Sequence, residues 1–208
     1  GDNNFEIQTV DLMLSQPIDN SIDVLVINAP TGDYTTDQIK ILEDFLTERP
    51  ITVRCRTHKA SLREIVTSLK SQGVTVEQAP YLPYALKISD YNHILTLETF
   101  LQGKILVQDV SSMLVAEAAS PKKGDHIIDM CAAPGGKSIH AADKMGDYGN
   151  VDARDVSQYK ADLIKENIHR TGVINVEARV QDATVYDPDS EQAADIVIAD
   201  VPCSGYGV

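Results

Sequence analysis

The sequence predicts an α/β fold in which a parallel sheet follows a smaller α+β region. Its most informative run extends from Ile127 to Ser138, where an apolar stretch ends at Asp129 and passes through small residues and two glycines into a helix-like segment. A parallel strand delivers a ligand to a helix N-terminus through such a run. Three later apolar runs also end near an acid, which indicates further strands of the same sheet.

The loop within this run does not fit two familiar nucleotide-binding loops. A dinucleotide fingerprint needs G-x-G-x-x-G, but this loop reads Ala133-Pro134-Gly135-Gly136-Lys137. A phosphate-binding P-loop needs a glycine where this chain has Cys131. The loop carries little positive charge and follows an aspartate, which favours a ribose or amino-acid ligand over a triphosphate. S-adenosylmethionine fits that description.

The later strands place carboxylates where such a ligand needs them. Asp155 ends the run 150–155 and is the candidate for the ribose hydroxyls. Asp182 follows the predicted strand Val176 to Val180 and is placed to meet an adenine edge. Asp200 ends the fourth apolar run. Because the carboxyl ends of parallel strands share one edge of a sheet, we expect these acids to converge.

An amphipathic helix is predicted between the second and third of these strands. It runs from Ser157 to Arg170, with Ser157 able to cap its start and Gly172 just beyond its end. Its predicted inward face consists of Tyr159, Leu163, Ile164 and Ile168.

The segment 50–108 is predicted to be a small α+β domain. A capping box at Ser61 and Glu64 opens a helix, and Gly73 ends it. The predicted strands are Ile51 to Cys55, Val74 to Gln78 and Ala85 to Ile88. A further helix with Ser111 and Ser112 near its start is expected to join this domain to the next, ending before Pro121.

The net charge of −13 is unevenly distributed along the chain. Residues 1–49 hold 2 basic and 10 acidic residues, residues 50–108 hold 7 and 4, and residues 109–208 hold 9 and 17. The acidic total argues against nucleic-acid binding, but the middle segment is positive. Its basic cluster predicts either a solvated face or a surface that contacts RNA phosphates. The cluster consists of Arg54, Arg56, His58, Lys59 and Arg63.

Residues from about 50 to 208 resemble the RNA (cytosine-5) methyltransferases, especially the bacterial 16S ribosomal RNA methyltransferase B type. The resemblance rests on three stretches in order, 107–113, 129–137 and 200–205. It implies a partial Rossmann-like S-adenosylmethionine methyltransferase sheet, preceded by a small RNA-recognition-like domain. It also implies ribosomal RNA as the partner.

The resemblance assigns roles to the candidate residues. The loop from Ala133 to Lys137 would bind S-adenosylmethionine together with Asp155, Asp182 and Asp200, and Lys137 and Asp200 would also face the target cytosine. Cys203 matches the cysteine of the family's Pro-Cys pair and is the third catalytic candidate.

A cysteine is needed because carbon 5 of cytosine is a poor nucleophile until a thiolate adds to carbon 6. In the RNA enzymes the attacking thiol lies in a later Thr-Cys motif, and the Pro-Cys thiol assists product release. The chain stops at Val208 without that motif. We therefore expect slow turnover or none, with attack by Cys203 as the less favoured alternative.

Residues 1–49 do not match the family. They contain predicted strands at Phe5 to Val10 and Asp23 to Asn28 and a capped helix at Thr35 to Leu46. Over a short stretch they resemble an auxiliary, gliding-type domain of ABC transporters. The domain prediction is therefore 1–49, 50–108 and 109–208. Three hypotheses stay open: a methyltransferase or a piece of one, a remnant that binds cofactor or RNA without turnover, and an engineered or recombined chimera.

The fourth predicted strand would form an open sheet edge, which natural proteins cover. We expect segment 1–49 to dock there, in the same chain or in a homodimer formed by domain swapping. No run is apolar and long enough to span a membrane, and no signal segment is recognised. Three scattered cysteines predict no metal site and a reducing, cytoplasmic location.

Overall fold

The computed structural model describes residues 34–40, 50–146 and 148–201. The chain divides into two compact units, Gly1–Arg49 and Pro50–Val208. In the first unit residues 36–40 are helical, and the Thr35 hydroxyl accepts a hydrogen bond from the Gln38 N–H at 3.3 Å. This confirms the start of the predicted helix. The two strands predicted in this unit lie outside the described residues.

The second unit contains two sheets, and the first is antiparallel. Its strands are β1 (Ile51–Cys55), β2 (Thr75–Gln78), β3 (Ala85–Ser89) and β4 (Ile105–Val107), in the order β2-β3-β1-β4. Helix α1 (Leu62–Ser71) connects β1 to β2, and helix α2 (Glu98–Leu101) precedes β4. The sequence predicts β1, β2, β3 and α1, whereas β4 and α2 are short elements that its patterns do not reveal.

Helix α1 begins at the predicted capping box. The Ser61 hydroxyl accepts from the Glu64 N–H at 3.3 Å, and the Glu64 carboxylate accepts from the Ser61 N–H at 2.8 Å. Ile65 and Leu69 on this helix are fully buried in one cluster with Val53 of the sheet. The first sheet and α1 therefore share one apolar core.

The second sheet is parallel and confirms all four predicted strands. They are β5 (His126–Asp129), β6 (Asn150–Asp155), β7 (Val176–Val180) and β8 (Ile196–Ile198), in the order β7-β6-β5-β8. Helix α3 (Val110–Ala119) leads into the sheet, and helices α4 (Gly136–Met145) and α5 (Gln158–Thr171) are its crossovers. The carboxyl ends of all four strands therefore lie at one edge.

Helix α5 has both predicted ends, but the prediction of its inward face is partly wrong. The Ser157 hydroxyl accepts from the Lys160 N–H, and Gly172 ends the helix in the left-handed conformation. Ala161 and Ile164 are buried, whereas Tyr159 is 72% exposed. At roughly 100° per residue, Tyr159 lies about 140° around the helix axis from Ile164, so it faces away from the core.

Arg54 of β1 and Arg56, which directly follows this strand, connect the antiparallel sheet to α4, and this corrects the interpretation of the basic cluster. Arg54 and Arg56 are only 2% and 1% exposed, and both bind Asp143. Arg56 also donates to the carbonyl oxygens of Gly103 and Thr171 at 3.0 and 2.6 Å. These two side chains form neither a solvated face nor an RNA contact, because they are buried and paired with Asp143.

Strand β8 pairs with β5 on one side, and within residues 50–146 and 148–201 no strand pairs with its other side. Val197 in its centre is 56% exposed. Most of segment 1–49 lies outside the described residues, so its docking at this edge stays a prediction. Dimer formation and the cytoplasmic location also stay predictions. Among the described residues, none of the helices combines the length and apolarity that crossing a membrane requires.

Candidate functional site

The predicted ligand loop connects β5 to α4 and is fixed by its neighbours. Backbone N–H groups of Met130 and Ala132 donate to the carbonyl oxygens of Ile198 and Arg154 at 3.0 and 2.8 Å. Gly135 has a φ of 101°, and a Cβ there would lie 3.3 Å from the Ile164 side chain. A side chain at this position would be strained, which explains the glycine at the turn. The Ala133–Pro134 peptide bond is cis.

Asp155 at the end of β6 is brought to this loop as predicted. Its carboxylate accepts from the Ala133 N–H at 3.0 Å and from the Val156 N–H at 2.8 Å. Lys160 lies 3.3 Å from the same carboxylate. Asp155 is only 3% exposed, so backbone hydrogen bonds rather than water hold its carboxylate in place.

Lys137 and Asp200, which are separated by 63 positions, meet at the same edge. The Lys137 ammonium lies 2.6 Å from Asp200 Oδ2. The Lys137 side chain is 22% exposed and the Asp200 side chain is 57% exposed. The structure thus brings together the two charged residues that the family resemblance assigned to the substrate side.

Asp182 lines a cavity of about 210 Å³ beyond the end of β7. Its carboxylate accepts from both the N–H and the hydroxyl of Thr184, which lowers its pKa. Met130, Gln181 and Tyr186 also line this cavity. The cavity therefore combines several polar side chains with apolar ones such as Met130, as ring-binding sites do.

Asp129 is fully buried at the end of β5 and accepts a 2.6 Å hydrogen bond from the Ser138 hydroxyl. Burial raises the pKa of Asp129 to about 6, although Ser138 and the Lys137 charge oppose the shift. The carboxyl thus holds the loop to the first turn of α4 at the cost of desolvation.

Known proteins have sequences similar to this chain. The family model for the 16S rRNA methyltransferase RsmB/F matches residues 116–208. A probable ribosomal RNA small subunit methyltransferase B of Bacillus subtilis is 37% identical over 158 residues, covering 76% of this chain and 35% of the relative. A tRNA (cytosine(72)-C(5))-methyltransferase of Pyrococcus horikoshii is 40% identical over 112 residues, covering 54% and 28%.

A solved structure agrees with these sequence matches. The crystal structure of a methyltransferase homolog protein from Pyrococcus horikoshii superimposes with a TM-score of 0.67 at 30% identity, covering 83% of this chain and 56% of that one.

The chain belongs to the RNA (cytosine-5) methyltransferase family.

Its parallel sheet has the Rossmann-like fold of S-adenosylmethionine-dependent methyltransferases, as the sequence predicts. The chain spans about a third of the length of the Bacillus relative. The relatives named above do not support the resemblance of residues 1–49 to an ABC transporter domain, so that interpretation is set aside.

Of the two cysteines near the family's site, only Cys131 lies within the described residues. It is partly buried, and burial together with the carboxylate of Asp155 raises the pKa of its thiol. A raised thiol pKa reduces the thiolate fraction, which argues against Cys131 as a nucleophile. Cys203 lies outside the described residues, and its role stays a prediction.

Gln108 and Arg154 are site residues that the sequence patterns do not single out individually. Gln108 lies in a stretch that carries the family resemblance, but its buried position beside Gly136 follows only from the fold. Arg154 lines the cavity and binds Asp152 at 2.5 Å and the Ser190 hydroxyl at 2.8 Å. The position of Arg154 within a predicted strand does not indicate either of these contacts.

The raised pKa of Asp129 predicts a specific dependence of stability on pH. The folded pKa of about 6 lies above the ordinary 3.8, so the contribution of Asp129 to stability is full below pH 3.8 and is lost as the pH rises through 6. Asparagine does not titrate. We expect the free energy of unfolding of Asp129→Asn, relative to the parent chain, to rise by about 2 kcal/mol from pH 4 to pH 7.

Urea unfolding of both proteins at several pH values measures this difference. Asp189→Asn, at a carboxylate in the 3-10 turn Pro188–Ser190, serves as the control. A difference between Asp129→Asn and the parent chain that stays constant from pH 4 to pH 7 would show that the folded carboxyl titrates normally.

Proposed function

We propose that the chain binds S-adenosylmethionine and forms the cofactor-binding and RNA-facing part of an enzyme that methylates carbon 5 of cytosine in ribosomal RNA. The observation that carries the proposal is the pairing of Lys137 with Asp200 beside the glycine loop. The fold supplies a carboxylate at the end of each neighbouring strand. The 37% identity to the Bacillus relative supports ribosomal RNA as the substrate class.

The residues at the sheet edge fit S-adenosylmethionine. Asp155 would accept from ribose hydroxyls, and the cavity beside Asp182 has the apolar walls that an adenine ring needs. Gly136 opens α4 without a side chain, so a ligand can approach the free N–H groups of the first turn. These groups suit the amino-acid end of the cofactor.

The bound cofactor would supply the methyl group. The chain's own residues would orient the cytosine: Asp200 can accept a hydrogen bond from the exocyclic amino group, and Lys137 can donate to a ring acceptor. Because the two groups lie 2.6 Å apart, a donor and an acceptor are presented side by side. Cytosine offers the complementary pattern of one donor beside one acceptor.

Cys203 completes this proposal from the sequence. It follows Asp200 by three positions, and the family resemblance gives its thiol a role in product release. If Cys203→Ala abolishes turnover and no covalent RNA adduct accumulates, the attack on carbon 6 would instead be assigned to this thiol.

Transfer RNA is the second candidate substrate. The tRNA (cytosine(72)-C(5))-methyltransferase of Pyrococcus horikoshii is 40% identical, although over a shorter stretch than the Bacillus relative. Parallel assays with small-subunit ribosomal RNA and with total tRNA, read out as 5-methylcytosine, distinguish the two. Formation of 5-methylcytosine in tRNA alone would overturn the ribosomal proposal while leaving the chemistry intact.

Asp155→Ala tests the cofactor site directly. We expect the variant to bind S-adenosylhomocysteine about 1–3 kcal/mol more weakly, because charge-assisted hydrogen bonds to the ribose are lost. Isothermal titration calorimetry of the 208-residue chain gives the affinity, and Asp162→Ala, at an exposed position of α5, is the matched control. Equal affinities of the parent chain and Asp155→Ala would contradict the assignment.

A further inference from the structure

The side chain of Gln108 occupies the space between β4 and the start of α4. It is 5% exposed, and its Oε1 accepts a 2.8 Å hydrogen bond from Arg54 Nε. Arg54 is held in turn by Asp143 on α4 at 2.7 Å. The orientation of the Gln108 amide is therefore fixed, since its oxygen faces Arg54 and its nitrogen must face elsewhere.

The Nε2 group of Gln108 has no hydrogen-bond partner within the described part of the chain. A buried donor without a partner costs about 1–3 kcal/mol. Buried polar groups in native proteins rarely lack partners, and the exceptions often belong to functional sites. This donor thus points to an acceptor outside the described residues, which a bound ligand can supply.

The position of this donor identifies where that acceptor lies. A Cβ at Gly136 would lie 3.7 Å from Gln108 Cδ and 4.0 Å from Nε2, so the amide adjoins the first residue of α4. The N–H groups of the first helical turn have no carbonyl partners within their own helix, and the helix dipole favours negative charge there. The donor therefore lies beside the N-terminus of α4.

The neighbouring charges also favour an anion. Two buried guanidinium groups, Arg54 and Arg56, share the single carboxylate of Asp143. This group carries net positive charge, and Arg54 polarises the Gln108 amide through their hydrogen bond. A carboxylate satisfies an amide donor, helix N–H groups and a net positive environment together.

We propose that Gln108 donates a hydrogen bond to the carboxylate of the amino-acid part of the cofactor at the N-terminus of α4, with Arg54 as the positioning residue. The inference rests on the proposed function, because it assigns a contact within that cofactor site. It makes Gln108 a residue that distinguishes a nucleoside carrying an amino acid from a nucleoside without one. It also links the small domain to cofactor recognition through Arg54.

Two ligands test this proposal: S-adenosylhomocysteine, and 5′-methylthioadenosine, which retains the nucleoside and the sulfur but lacks the amino acid. In Gln108→Glu the acceptor for Arg54 is kept and only the donor is replaced. At pH 8 the carboxylate beside Arg54 is ionised and repels the ligand carboxylate. We expect calorimetry of the 208-residue chain to show at least tenfold weaker binding of S-adenosylhomocysteine and methylthioadenosine binding within twofold of the parent.

Gln108→Met is the second variant, since it removes the donor without adding charge, and about fivefold selective loss is expected. Gln102→Glu, an exposed amide in the small domain that binds Glu98, is the matched control and should change neither affinity. Unchanged binding of S-adenosylhomocysteine by both Gln108 variants, or equal weakening of both ligands, overturns the role of Gln108. If the parent chain binds neither ligand, the proposed function itself fails, and this inference fails with it.

Discussion

Replacing Asp143 by alanine is expected to lower the free energy of unfolding by about 3–5 kcal/mol. Asp143 accepts from Arg54 Nη1 at 2.7 Å and from Arg56 Nε and Nη2 at 2.9 and 2.6 Å. Both arginines are almost fully buried, and guanidinium groups do not lose their protons in proteins. Removal of one carboxylate therefore leaves two buried charges without a counterion.

Urea unfolding followed by circular dichroism measures this loss. Asp162→Ala is the control, because Asp162 is exposed on α5 and its 3.3 Å pair with Lys165 should contribute little. A loss below about 1 kcal/mol for Asp143→Ala would mean that water reaches the arginines. The triple change Asp143→Ala, Arg54→Met and Arg56→Met should recover part of the stability, because the buried charges leave together.

The parallel sheet was predictable because its signals are local. Each strand is a short apolar run, the loop 130–135 lies between a strand and a helix, and the caps at Ser157 and Gly172 depend only on adjacent residues. Parallel topology then brings the strand ends to one edge, so the convergence of Asp155 and Asp200 on the loop follows from the order of the strands.

The contacts between the small domain and α4 were not predictable in the same way. Arg54 and Asp143 are separated by 89 positions, and neither residue type indicates a buried pair in advance. A run of basic residues is usually exposed, so the sequence favoured a surface for Arg54 and Arg56. The unpartnered donor of Gln108 depends on the same packing and is visible only once both sheets are in place.

The second large effect is expected at Asp200, the more exposed member of the pair with Lys137. If Asp200 accepts a hydrogen bond from the target cytosine, Asp200→Asn keeps a carbonyl acceptor of the same size but removes the negative charge that strengthens the hydrogen bond. Relative to the slow single-turnover rate expected of the parent chain, we expect methyl transfer to ribosomal RNA to fall by a further factor of about 10², the size of effect seen for groups aimed at a reacting centre.

The affinity for S-adenosylhomocysteine separates a role toward cytosine from a role toward the cofactor. For a residue that faces the cytosine, this affinity should change less than threefold while the rate falls. A parallel fall in both would assign Asp200 to the cofactor instead. Asp189→Asn, in the turn before β8, controls for the loss of one negative charge. Because Asp200 is 57% exposed, the substitution should leave the unfolding free energy within about 0.5 kcal/mol of the parent, so a lower rate would not reflect unfolding.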